Sequence, residues 1–224
     1  EKSITPAGNV TSHLYAALGK DFSEKNKKLL GTPFAQFMKF TSEIRTLFKV
    51  GEKQHIAARL MGGVLWSYGN QTIAPYSEQF YIGGANSLRA FTVRSLGPGT
   101  YNPGKNTKYG YLDQTGDIKL EANVEYRFPI FGELYGATFL DAGNVWLMRK
   151  DESRPGGELT LKNFAKSIAL NTGVGVRYDL TFLVIRLDMG IALHVPYETG
   201  KSGYYNIPKF KDGLGLHFAI GYPF

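Results

Sequence analysis

The chain has 224 residues, a net charge of +7 and no cysteine, which excludes disulfides, thiolate nucleophiles and cysteine-held metals. No apolar run reaches the roughly 18 residues that a membrane-spanning helix needs. A membrane-spanning strand needs only about 9–11 residues with one apolar face, so that class stays open. The opening Glu1-Lys2-Ser3-Ile4-Thr5-Pro6 lacks the apolar core of a secretory signal. The expectation is a removed signal or a piece of something longer. The positive balance suits an anionic surface such as lipopolysaccharide, but much of it falls in polar loops. Lys20, Lys25, Lys27 and Lys28 crowd one; Lys105, Lys108, Lys201, Lys209 and Lys211 lie in others. No nucleic-acid partner is expected.

Alternation of apolar and polar residues runs through most of the chain, the signature of strands. The first run is about Asn9–Gly19, with Val10, Leu14, Ala16 and Leu18 on one side. A charged loop, Lys20–Thr32, follows. The second run, about Pro33–Phe48, sets Phe34, Met38, Phe40, Ile44 and Phe48 against Lys39, Thr41, Glu43 and Arg45. The third, about Gln54–Tyr68, aligns Ile56, Ala58, Leu60, Val64, Trp66 and Tyr68.

A long connection, Gly69–Gly116, comes next. Its centre reads Phe80-Tyr-Ile-Gly-Gly-Ala-Asn-Ser-Leu-Arg-Ala-Phe91. Gly83 and Gly84 permit a tight or left-handed backbone, and Gly97-Pro98-Gly99 closes the segment with a turn. Long loops of this kind are functional or disordered. The aromatic and β-branched content here argues for order.

The fourth run, Asp117–Phe128, alternates Ile118, Leu120, Ala122, Val124, Tyr126 and Phe128 with Lys119, Glu121, Asn123, Glu125 and Arg127. The fifth, about Glu133–Leu147, opposes Leu134, Thr138, Leu140 and Ala142 to Tyr135, Phe139, Asp141 and Gly143. The loop Met148–Ala165 leads to a sixth run, about Lys166–Tyr178, and a tight turn to the seventh, about Phe182–Val195. After Pro196–Asp212, the eighth run, Gly213–Phe224, places Leu214, Leu216, Phe218, Ile220, Tyr222 and Phe224 on one wholly apolar face.

Long and short connections alternate along the chain. One face of the runs is apolar with aromatics toward the ends (Tyr126, Phe128, Tyr178, Tyr222), and the other carries charge. That combination predicts an all-β, antiparallel transmembrane barrel over residues 1–224, with long extracellular loops and short periplasmic turns. A soluble barrel or sandwich is the alternative, but runs of this length are long for it. An eight-stranded barrel is just filled by its own side chains. A loop as long as 69–116 can turn toward the lumen only if these strands are half of a larger pore; otherwise it lies over the mouth.

No catalytic constellation stands out. His13, His55, His194 and His217 lie on separate runs without metal spacing. Gly99–Lys105 resembles the first part of a phosphate loop, but Asn106 takes the hydroxyl position and no strand–helix context surrounds it. Neither cofactor nor metal is expected. Asp141 and Glu125 imitate a hydrolase pair, yet no serine in a nucleophile elbow accompanies them.

Gly83-Gly84-Ala85-Asn86-Ser87-Leu88-Arg89-Ala90-Phe91 resembles the loop motif of the BamA/TamA superfamily, the bacterial surface antigen family. In that motif Gly-Gly-x-x-S precedes a β-branched residue, Arg, Gly and an aromatic. Leu88 and Ala90 depart from it; Arg89 and Phe91 keep it. Phe139-Leu140-Asp141-Ala142-Gly143 resembles the family's F-x-D-x-G strand motif. His217-Phe218-Ala219-Ile220-Gly221-Tyr222-Pro223-Phe224 resembles the C-terminal β-signal of outer-membrane proteins, with Ala219 where glycine is common. The resemblance implies the C-terminal half of a sixteen-stranded outer-membrane barrel preceded by periplasmic domains. It implies a non-enzymatic factor that assembles, inserts or translocates polypeptides through a lateral seam at the last strand. Its partners would be outer-membrane lipid, unfolded client proteins, those periplasmic domains and accessory lipoproteins. Arg89 would lock the loop to Asp141, with Glu125 assisting. An outer-membrane pore, or an anchor for a secreted passenger domain, is the alternative function.

Overall fold

The computed structural model describes residues 1–17, 28–29, 32–69, 73–104 and 114–224. The charged loop Lys20–Thr32 falls largely outside the described residues, as do Lys105, Lys108 and Asn106. Eight strands form one sheet: β1 Lys2–Ala7, β2 Gln36–Gly51, β3 Gln54–Tyr68, β4 Ile118–Phe131, β5 Leu134–Trp146, β6 Ala169–Asp179, β7 Val184–His194 and β8 Leu214–Ile220. Each pairs antiparallel with its neighbours in chain order, leaving β1 and β8 as the edges. Short turns join β2 to β3, β4 to β5 and β6 to β7. The connections at the other end are long.

Two expectations need correction. The described part of the run at Asn9–Gly19 is not a strand: Asn9–Ala17 forms helix α1, Leu18 and Gly19 lie outside the described residues, and the strand that pairs with β2 is β1, ahead of it. Val10, Leu14 and Leu18 recur every fourth residue, which fits a helix as well as it fits alternation. Gly8, at φ +75°, breaks the strand, and its carbonyl accepts the Ser12 amide at 3.0 Å. Secondly, the sixth run begins late, because Phe164–Ser167 is a short helix, α2, ahead of β6.

The two faces of the sheet differ in kind. One holds large apolar side chains in the open: Leu60, Val124, Leu140, Val174, Leu187, Met189 and Phe218 are all exposed. The other buries charge: Arg59, Glu121, Glu125, Asp141, Arg177, Arg186 and Asp188 are at most 8% exposed. Segment 80–96 of the long loop lies over this second face. Its Phe80, Ile82, Leu88, Ala90, Phe91 and Leu96 join Leu65, Val145, Ala169 and Ala192 in an apolar cluster. The buried apolar cluster among the described residues gathers where the loop meets the wall.

Candidate functional site: a loop tip held by buried charge

The loop folds back on itself before it meets the wall. Gly84 N donates to Phe91 O at 2.8 Å, and Arg94 N to Ile82 O at 2.9 Å. Gly83 and Gly84 sit at φ +96° and +97°. A Cβ on Gly83 would lie 2.2 Å from Thr92 O, so the position excludes any other residue. Ser87 Oγ accepts the Gly83 amide at 3.1 Å and donates to Glu121 Oε2 at 3.0 Å.

The tip presents Arg89, which is wholly buried. Its Nε and Nη2 donate to Asp141 Oδ2 and Oδ1 at 3.0 and 2.8 Å, a two-pronged fork. Its own amide adds a third bond to Asp141 Oδ2 at 3.2 Å. Nη1 donates to Glu125. The guanidinium lies over the Phe139 ring, its Cζ 3.6 Å from the centroid. Asn123 and Asn171 complete the shell of Asp141 at 2.9 and 3.0 Å. Arg127 and Arg177 do the same for Glu125 at 2.7 and 2.9 Å.

The grip extends beyond the residues that the sequence singled out. Arg186 Nη1 donates to Ala85 O at 2.9 Å and Nη2 to Asn86 Oδ1. Arg59 Nη2 donates to Asn86 O at 2.8 Å and also reaches Glu121. Asp188 bridges Arg177 and Arg186 at 2.5 and 3.0 Å. Five strands, β3 to β7, thus hold one loop tip. The sequence put Glu121 and Glu125 on the charged face, but it did not connect Arg59, Arg177, Arg186 or Asp188 to the loop. The available signal was their shared parity over neighbouring strands.

Glycines make room for this approach. A Cβ on Gly190 would lie 2.3 Å from Arg89 O, and one on Gly215 2.8 Å from Ala90 C. Gly143 faces Ile82 Cδ1, which its Cβ would approach to 2.9 Å. Phe91 sits in the apolar cluster.

The chain end departs from the expected pattern. Leu214, Leu216, Phe218 and Ile220 are exposed on the apolar face, and His217 lies on the other, paired with Asp188 in register. The strand stops at Ile220. Gly221, at φ +87°, donates to Val184 O at 2.7 Å and redirects the chain. Tyr222 then stacks over Arg127 at 4.1 Å, and Phe224 over Arg59 at 5.2 Å and Arg89 at 5.9 Å. These two aromatics face the charged side and not the apolar one. The cause is the left-handed residue between them and the strand, which alternation does not register. No group of three or more metal-ligating side chains occurs among the described residues.

An antiparallel wall, apolar outside and charged inside with a loop held against the inner face, defines a segment of an outer-membrane β-barrel. The Omp85 superfamily domain matches residues 14–224, and the chain belongs to that superfamily. It is 34% identical over 90 residues to the outer membrane protein assembly factor BamA of Neisseria meningitidis serogroup B, spanning 38% of this chain and 11% of that protein. Over 150 residues it is 28% identical to the human sorting and assembly machinery component 50 homolog, spanning 64% of this chain and 30% of that one. The crystal structure of BamA from Haemophilus ducreyi lacking POTRA domains 1–3 superposes with a TM-score of 0.51 at 17% identity, covering 83% of this chain and 35% of the other. The chain thus spans about a third or less of these relatives. The long loops are extracellular and the short turns periplasmic.

Proposed function

We propose that the chain supplies the C-terminal wall of an outer-membrane barrel that assembles or inserts client proteins, or translocates polypeptide, without covalent chemistry. The observation that carries the reading is the buried fork between Arg89 and Asp141, shared with Glu125. It ties the loop to β4 and β5, and the next residue of the tip, Ala90, packs against Gly215 of β8, the edge strand. In this reading the loop is a lock. Held down, it keeps the inner face in one shape while a client strand adds to the β8 edge by main-chain hydrogen bonds. Unfolded outer-membrane proteins, periplasmic domains of the same full-length chain and accessory lipoproteins are the partners it implies.

A double-mutant cycle tests the lock in the full-length protein. Arg89→Ala, Asp141→Ala and the pair are compared for the folded fraction of a newly made outer-membrane protein in cells, with the barrel's own folding followed by its heat-modifiable gel mobility. Coupling between the two sites of about 0.5–3 kcal/mol supports the lock, and strict additivity removes it. Steady conductance through the wild-type protein in a planar bilayer, with client folding unaffected by either change, would favour the pore or anchor instead.

A further inference from the structure

A different part of the wall carries a feature that the assembly role does not use. On the apolar, lipid-facing side, near the long-loop end, β2 to β5 leave a groove of about 340 Å³. That lies within the roughly 300–1,000 Å³ of small-ligand sites. Phe40, Val64 and Leu120 form its flanks, and Ser42 and Gly62 its floor. Ser42 and Gly62 are directly paired across β2 and β3. Two small residues side by side make a dent between larger neighbours. The backbone does not demand glycine here: a Cβ on Gly62 would meet only Lys119 O, at an ordinary 3.9 Å.

The groove has a built rim. Trp146 pairs with Ile118 on the lipid-facing side, yet is 1% exposed. The extracellular loop folds down over it: Phe164 of α2 stacks on its ring at 5.7 Å, and Trp146 Nε1 donates to Ser167 Oγ at 2.9 Å. Leu159 and Phe164 close the upper end. Beside them Leu161 is 94% exposed, an apolar side chain that water would not favour. Lys162 and Lys166 flank Phe164 in the chain, and both are exposed. Neither forms an ion pair among the described residues.

We propose that this groove seats an acyl chain of lipopolysaccharide, with a lipid phosphate at Lys162 and Lys166. The occupant must be apolar along the wall and anionic at the rim. It must also reach this site from the leaflet next to the extracellular loops. A phosphate-bearing glycolipid of the outer leaflet meets all three conditions, and a lysine ammonium serves phosphate as a point charge. The site is independent of Arg89 and of the assembly role.

Photo-crosslinking in cells tests it on the full-length protein. p-Benzoylphenylalanine is placed at position 159, at the rim, or at position 174, on the bare wall of β6. Lipopolysaccharide attached to the purified protein is then measured. A strong adduct from position 159 and a several-fold weaker one from 174 is the expected result. Gly62→Leu, which fills the dent, should cut the 159 adduct several-fold, and Lys162→Glu with Lys166→Glu should weaken it further. Heat-modifiable mobility reports folding; should Gly62→Leu not fold, Ser42→Leu fills the same dent from β2. Equal adducts from 159 and 174, an adduct indifferent to the filled dent, or a protein crosslinked in place of the glycolipid would each overturn the proposal.

Discussion

The two faces of the same strands obey opposite rules. On the outer face Leu140 and Val174 stand exposed, while on the inner face Asp141 and Asn171, their neighbours or next-but-two along the chain, are wholly buried. In a water-soluble sheet this arrangement would leave oil in water and charge out of it. In a bilayer the outer side chains are solvated by lipid. The inner charges still face the desolvation cost that any buried ion carries. They meet it by near-complete pairing: Asp141 receives bonds from Arg89, Asn123 and Asn171, and Glu125 from Arg89, Arg127 and Arg177. The difference teaches that the outer face is tolerant in detail and strict in polarity, whereas the inner face is strict in detail.

The hardest blow to that contrast is Arg89→Ala. It leaves Asp141 and Glu125 short of a cation in a dry site, and about 3–5 kcal/mol of stability should be lost. Urea unfolding in lipid vesicles measures it, and a loss below about 1 kcal/mol would mean that water reaches the pair. Next comes the outer face: Leu140→Arg should cost about 2–4 kcal/mol by the same assay, and Leu140→Ile little. A tolerated arginine there would show that lipid does not touch β5. Third, Gly190→Ala pushes a methyl group against Arg89 O and should cost about 1–3 kcal/mol. Faster proteolysis within residues 85–95, with the sheet intact, is the expected sign. The smallest effect belongs to Phe224→Ala, which removes an aromatic face from Arg59 and Arg89 and should cost about 0.5–1 kcal/mol. A larger loss would give the chain end a greater share in holding the loop.

Much of the wall was legible in the residues. Gln54–Tyr68 was bounded without error, because its alternation is unbroken and both ends meet turns. The fourth and fifth runs were placed within a few residues for the same reason. Helix α1 was not legible, since spacing by four satisfies both periods and only the turn at Gly8 separates them. The inward swing of Tyr222 and Phe224 escaped because one left-handed glycine resets the parity of everything after it. Arg89, Asp141 and Glu125 stood out through motif and parity. Arg59, Arg177, Arg186 and Asp188 did not, although the loop tip touches or leans on all of them. The loop carbonyls that Arg59 and Arg186 meet are 27 and 101 residues away in the chain, and periodicity carries no information over such distances.

What the residue order alone determined is the polarity of each strand's two sides and the alternation of long and short connections, because both are local: a side chain's face follows from its neighbour's. Tertiary structure decided which carboxylate each arginine meets, where the loop rests and which way the chain end turns. Those outcomes depend on several strands arriving at one place, and on small residues such as Gly190 and Gly215 leaving space there. Burial then makes the pairing selective, since an ion left without a partner in that interior costs more than the backbone's local preferences can offset.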